Sequence, residues 1–239
     1  MIDATGHLPS NWLMRTIGEA VALNPASFSS QPSGEQHVSF IPMAAVGAET
    51  RRIDTSLSRP WKDARRGFTR FQEGDVLFAK ITPCMENGKA AVASGLKEGR
   101  GTGSTEFHVL RPTDAINARF LLHFLLQSSF RRDARRQMKG VAGQLRVPAT
   151  FMAAALLPLP PLAEQQRIVA EIEKQFTRLD ASVAALERVR ANLKRYRAAV
   201  LKAACEGRLA PTEAELARAE GREYEPAGVL LARVREDLK

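Results

Sequence analysis

Pro158-Leu159-Pro160-Pro161-Leu162-Ala163-Glu164-Gln165-Gln166-Arg167-Ile168-Val169 is where the chain changes grammar. Before it the sequence reads as short β-type runs broken by Gly and Pro; after it, as helix with almost no breaker until Gly207. Proline in the first helical turn and an early glutamate both favour a helix start, and glycine suits the position just past a helix end. The chain therefore divides into a head of residues 1–158, one long helix over residues 159–207 and a tail of residues 208–239.

Downstream, Ile172, Phe176, Leu179, Val183 and Leu186 follow a 4-3-4-3 spacing, with Ile168 one turn earlier. Val189, Leu193, Tyr196 and Val200 continue it after one phase slip. Such a seam marks a coiled coil. A helix of this length runs about 65 Å and, with one apolar stripe, needs a partner helix in water. In the tail, Leu216, Val229, Leu230, Leu231 and Val234 predict one or two shorter helices, opened by Pro211-Thr212 and Glu225-Pro226.

Upstream, β-type runs occur at Val38–Ile41, Asp75–Ile81, Ala90–Ala93 and Glu106–Leu110, punctuated by Glu73-Gly74-Asp75 and Asn87-Gly88. Phe120, Leu121, Phe124, Leu125 and Phe130 form a stripe that predicts helix across Ile116–Gln137, packed on the sheet. A further short helix follows Pro148, and the glycines Gly99, Gly101 and Gly103 read as a flexible loop. The fold class is a mixed α/β domain followed by a long α-helix, with no internal repeat.

The 239 residues, 44% of them hydrophobic, suffice for one substantial core and a smaller element. Lys and Arg number 35 against 26 Asp and Glu, a net charge of +9 that attracts polyanions and makes nucleic acid the leading partner. Residues 1–160 carry 20 basic and 13 acidic groups, and the remainder 15 and 13, so the head holds most of the field. Cys84 and Cys205 fit neither a disulfide framework nor a metal site, which points to a reducing compartment, by default the cytoplasm. Met1–Ser10 has no leader pattern and no run of about 18 apolar residues exists, so neither export nor a membrane is expected.

Catalytic signatures are missing. No phosphate-cradling loop is present, Asn24-Pro25-Ala26-Ser27 lacks the second proline and aromatic of an amino-methyltransferase loop, and Glu171 and Glu173 point different ways on a helix. His7, His37, His108 and His123 have no metal-ligand spacing and read as structural. The expectation is a chain with no catalytic residue, metal or cofactor of its own.

Basic residues cluster at Arg51-Arg52, at Lys62 with Arg65-Arg66, and at Arg131-Arg132 with Arg135-Arg136 and Lys139. Like charges four residues apart on a helix repel, by about 0.2–0.5 kcal/mol per pair, a cost that phosphates would offset. Any one cluster is also what a solvated surface carries. Base reading needs side chains that make two hydrogen bonds to one base edge, which suits Arg65, Arg66, Gln144 and Arg146. The DNA-binding candidates are these with Arg51, Arg52, Lys62, Lys80, Lys89, Ser104, Thr105, Arg131 and Arg135. On the long helix, Arg188, Arg190, Lys194, Arg195, Arg197 and Lys202 face either phosphates or an acidic partner surface.

Phe71-Gln72-Glu73-Gly74-Asp75-Val76-Leu77-Phe78-Ala79-Lys80-Ile81-Thr82-Pro83 with Asn87-Gly88-Lys89, then Ser104–Pro112, then Pro158–Val169, and finally Ala203–Leu209 together resemble the specificity subunits of type I restriction-modification enzymes. The resemblance implies a target-recognition domain that reads one half of a split DNA site, and a helix that pairs antiparallel to set the spacing. It also implies two adenine-N6 methyltransferase subunits holding S-adenosylmethionine, and a restriction subunit using ATP and Mg. Ordinary members carry two domains and two helices. One of each here leads to the expectation of a half-subunit that self-associates as a homodimer, or of a truncated protein. A different class, a coiled-coil assembly protein binding DNA without reading sequence, fits the same charge and helix pattern.

Overall fold

In a computed structural model, residues 8–26, 28, 31–141 and 143–238 are described; His7 and Ser27 lie outside them. The chain runs β1 (Leu13–Thr16), α1 (Ile17–Ala20), β2 (Val21–Leu23), β3 (His37–Ile41), β4 (Ser58–Pro60), α2 (Trp61–Ala64), β5 (Thr69–Gln72) and β6 (Val76–Ala79). It continues with β7 (Ala90–Val92), β8 (Arg100–Gly103), β9 (Phe107–Pro112), α3 (Ala118–Leu125), α4 (Ser128–Arg136), α5 (Ala149–Ala154) and β10 (Leu156–Leu159). Three helices close it: α6 (Leu162–Cys205), α7 (Glu213–Glu220) and α8 (Ala227–Asp237). The architecture is the expected mixed α/β head and long helix.

Among the described residues the strands form an antiparallel β1–β10 ribbon and two four-stranded sheets, ordered β2–β9–β6–β7 and β4–β3–β8–β5. All pairings are antiparallel except β3 with β8. Strand β6 is apolar at every position because both faces of its sheet are covered. Val76 and Phe78 join a core with Leu121, Leu125, Phe130 and Met152 from the helices. Leu77, one step out of phase, joins Val109 with Ile41 and Phe71 of the second sheet. Helices, first sheet and second sheet are thus stacked as layers. Full burial of each large side chain contributes about 1.5–3 kcal/mol.

The motifs of the sequence are the rivets of this arrangement. Gly74 turns the chain at φ +86°, and the Asp75 carboxylate then accepts the Gln72 N–H at 2.8 Å. The same carboxylate, only 1% exposed, receives two guanidinium bonds of 2.8 Å from Arg111 at the end of β9. In the Pro158–Val169 stretch, Gln165 is fully buried. Its amide donates to Ala115 O (3.0 Å) and Pro160 O (2.8 Å), and its oxygen accepts from Asn117 N (2.8 Å). Glu164 beside it accepts from Trp12 Nε1 at 3.0 Å and Asn11 Nδ2 at 2.9 Å. These bonds lash the start of α6 to the head.

Two expectations need correction. The stretch Ile116–Gln137 is two helices, with Gln127 extended at φ −59°, ψ 136°. Past the break Phe130 packs against Phe124 (ring centroids 5.2 Å) and Phe78 (6.0 Å), geometries that favour aromatic pairs. The Gly99–Gly103 segment is no loop but leads into strand β8. Gly101 and Gly103 are demanded by packing: a Cβ on Gly101 would meet the Phe71 ring at 2.2 Å and one on Gly103 the Ile41 carbonyl at 2.0 Å.

Residues Met1–Glu173 and Lys174–Lys239 form two compact units. In the second, Gly207 ends α6 at φ +68°. Thr212 and Glu215 cap α7 reciprocally, Gly221 closes it in the left-handed region, and Pro226 precedes α8. No helix among the described residues is long and apolar enough to cross a membrane.

Candidate nucleic-acid interface

The β4–β3–β8–β5 sheet has one face on the core through Ile41 and Phe71. Register places Phe40, Thr102 and Arg70 in one row on the opposite face, with Arg59 across from Val38. On that outer face Phe28, Val38, Trp61 and Ala64 make a small cluster. The Arg70 guanidinium lies 5.2 Å from the Trp61 ring and donates to Arg65 O at 2.6 Å. This bond closes the turn Arg65-Arg66-Gly67-Phe68, in which Gly67 takes φ +77°, a conformation that side chains rarely adopt. Arg65 and Arg66 are left exposed at its tip.

The turn forms one wall of a cleft of about 540 Å³. Arg65, Arg66, Phe68 and Arg70 line one side; Lys80 on the first sheet, Phe107 and Asn24–Ala26 line the rest. Four cations face this space and no carboxylate is among its lining residues. Such a cleft concentrates positive potential. Behind it, His108 accepts from Asn24 Nδ2 at Nδ1 (3.1 Å) and donates from Nε2 to Val147 O (2.8 Å). Burial pushes its pKa down, so it stays neutral and structural. Burial likewise lowers His123, and His37 bonds Ser58 at 3.2 Å. No group of three potential metal ligands occurs among the described residues.

Of the candidates read from sequence, Arg65, Arg66 and Lys80 converge on the cleft. Lys62, three residues before Arg65, pairs with Glu35 at 2.9 Å, which raises its pKa. Arg51 and Arg52 lie in the loop closed by the Val46–Ile53 bridge. Lys89 donates to Met43 O at 3.0 Å. Ser104 Oγ accepts from Glu106 N at 3.2 Å; Thr105 and Gln144 are exposed beside it and in the loop after Lys139, respectively.

The other arginines are committed to carboxylates. Arg131, 16% exposed, donates to Glu49 and to Glu86 O, each at 2.7 Å. Arg135 pairs with Glu86, and Arg136 with Asp133 at 3.1 Å. Arg146 holds Glu106 through two bonds of 2.8 Å, which keeps that carboxyl below its usual range. The repulsion between Arg131 and Arg135 on α4 is therefore offset inside the chain. Sequence reasoning missed Arg59, Phe68 and Arg70; the polar–apolar alternation of Thr69-Arg70-Phe71-Gln72 was the available signal.

Along α6, Ile168 packs on the helix-side core of the head, and Ile172 and Phe176 are half-buried. From Leu179 onward Val183, Leu186, Leu193 and Tyr196 are exposed, while Val200 is half-buried. The stripe thus presents a long apolar seam to solvent.

A family profile described as Type I restriction modification DNA specificity domain matches residues 9–190. The chain is 42% identical over 173 residues to the type I restriction enzyme EcoAI specificity subunit of Escherichia coli, covering 72% of this chain and 28% of that protein. It is 36% identical over 168 residues to the EcoEI specificity subunit of the same species, again over 28% of that protein. The chain thus spans little more than a quarter of the length of these curated relatives. The crystal structure of the HsdS subunit from Thermoanaerobacter tengcongensis shares the fold, with TM-score 0.60 at 22% identity over 85% of this chain and 51% of that one.

Proposed function

Since the chain belongs to the family of type I restriction modification DNA specificity domains, we propose that it reads one half of a two-part DNA target for a type I restriction-modification complex. The observation that carries this reading is the cleft, where Arg65, Arg66, Arg70 and Lys80 face open space without a carboxylate among its lining residues. Phosphate contacts fix register and orientation on a duplex, while bidentate side chains at the base edges supply sequence information. The chain carries out no chemistry itself.

The exposed seam of α6 gives the second half of the proposal. It pairs antiparallel with the same helix of a second copy, so that two heads sit a fixed distance apart and read an inverted repeat, because two-fold protein symmetry is mirrored in the site. Methyltransferase subunits bearing S-adenosylmethionine then dock against the helices and modify adenines, and a restriction subunit using ATP and Mg completes the complex in the cytoplasm.

A competition titration tests the reading. The preferred duplex, selected from a random library, is expected to bind at least about a thousandfold more tightly than random DNA at physiological salt. Equal affinity for all duplexes instead identifies a coiled-coil assembly protein that binds DNA without reading it.

A further inference from the structure

Several arginines of this protein are spent inside the fold. Arg111, Arg119, Arg131, Arg135 and Arg146 are tied to carboxylates. The side chain of Arg59, exposed on the edge strand β4, has neither a hydrogen bond nor an ion pair among the described residues. It is nevertheless held in place: its guanidinium carbon lies 3.8 Å from the centroid of Phe40 and 5.7 Å from that of Phe68. Those two rings brace each other edge to face, 5.0 Å apart at 87°, and Phe40 is buried in the sheet.

Stacking on aromatic faces suits the flat, weakly hydrated guanidinium and leaves its N–H groups unspent. A side chain restrained in this way loses less rotamer entropy on binding than a free one. Phe68 also lines the basic cleft, so the braced arginine adjoins the cations suited to phosphates. Arg70 is less suited to this role, because one of its nitrogens already serves the Arg65 carbonyl. We propose that Arg59 is a specificity-determining residue, reading the O6 and N7 edge of one guanine in the major groove. The proposal rests on the reading of the protein as a DNA specificity subunit.

The test uses the full chain and its preferred duplex, with each base pair replaced in turn and with 7-deazaguanine, which lacks N7, at each guanine. For the unaltered protein, one guanine position is expected to be sensitive to both changes. Arg59→Ala and Arg59→Lys should each relax discrimination at that position by about 5- to 150-fold and leave the other positions selective. Arg59→Lys, which keeps the charge but loses the fork, should retain the salt dependence of the parent. Uniform weakening across all duplexes, with a salt slope reduced by about one in Arg59→Ala, would make Arg59 a phosphate contact and overturn the proposal. Unchanged selectivity in both variants would overturn it as well. If the unaltered protein has no preferred duplex, the reading of function itself fails, an outcome separate from either of these.

Discussion

Replacing Arg65 and Arg66 by alanine together tests the cleft as a phosphate-binding surface. Both side chains are exposed, so their removal opens no cavity, and the hydrogen bond from Arg70 reaches the Arg65 carbonyl rather than its side chain. The fold should survive, as circular dichroism and an unchanged unfolding midpoint would verify. Each phosphate neutralised contributes about 0.9 to the slope of log affinity against log salt. If both arginines meet phosphates, the slope falls in magnitude by about 1.8, and the affinity deficit of the variant is about twelvefold larger at 50 mM than at 200 mM salt. Anisotropy titrations of a labelled duplex across that range measure it directly. Arg136→Ala, whose side chain pairs with Asp133 away from the cleft, is the control. A double variant with the parent's slope, or an equal change from Arg136→Ala, would refute the assignment.

Three further outcomes are expected. Asp75→Asn weakens the bond to Arg111 at a nearly buried site; breaking such a pair costs about 3–5 kcal/mol, with the lower end expected here because Arg111 is partly exposed, and urea unfolding would show it. Leu179→Glu with Leu186→Glu places charge in the exposed seam of α6, so light scattering should show a mass of 26.3 kDa where the parent shows twice that; two equal masses would dismiss the helix pairing. Burial holds the pKa of His108 below its ordinary value of 6.5, so the unfolded chain takes up the proton more readily. Stability is fully present above that value and is lost as pH falls below it, and His108→Gln should flatten this limb of the stability–pH curve.

What the sequence made legible were features with strong local causes. The boundaries of α6 follow from Pro160-Pro161 and Gly207, and β3, β6, β7 and β9 from apolar runs between turn residues. Strands lacking such a cause were invisible. Strand β4 has the sequence Ser-Arg-Pro and β8 Arg-Gly-Thr-Gly, compositions that oppose strand formation on their own and are accepted only because neighbouring strands fix them. Ribbon β1–β10 joins Leu13 to Leu159, a pairing that no window of sequence contains.

The site divides the same way. Arg65 and Arg66 stand out as adjacent charges, but their companion Arg70 and the stacked Arg59 reach the same face only through sheet register. Conversely Arg131 and Arg146 looked available because their carboxylate partners, Glu49 and Glu106, lie 82 and 40 residues away. Charge clustering locates a basic domain; which charges remain unspent is decided by tertiary contacts.

The most direct measurement is to produce the chain together with the methyltransferase proposed as its partner and to map modified adenines across genomic DNA. A single two-part motif whose halves are inverted repeats at one fixed spacing is expected, modified less completely when Arg65 and Arg66 are replaced. Modification scattered without a motif, or complete at every site despite that replacement, would be the contradicting result.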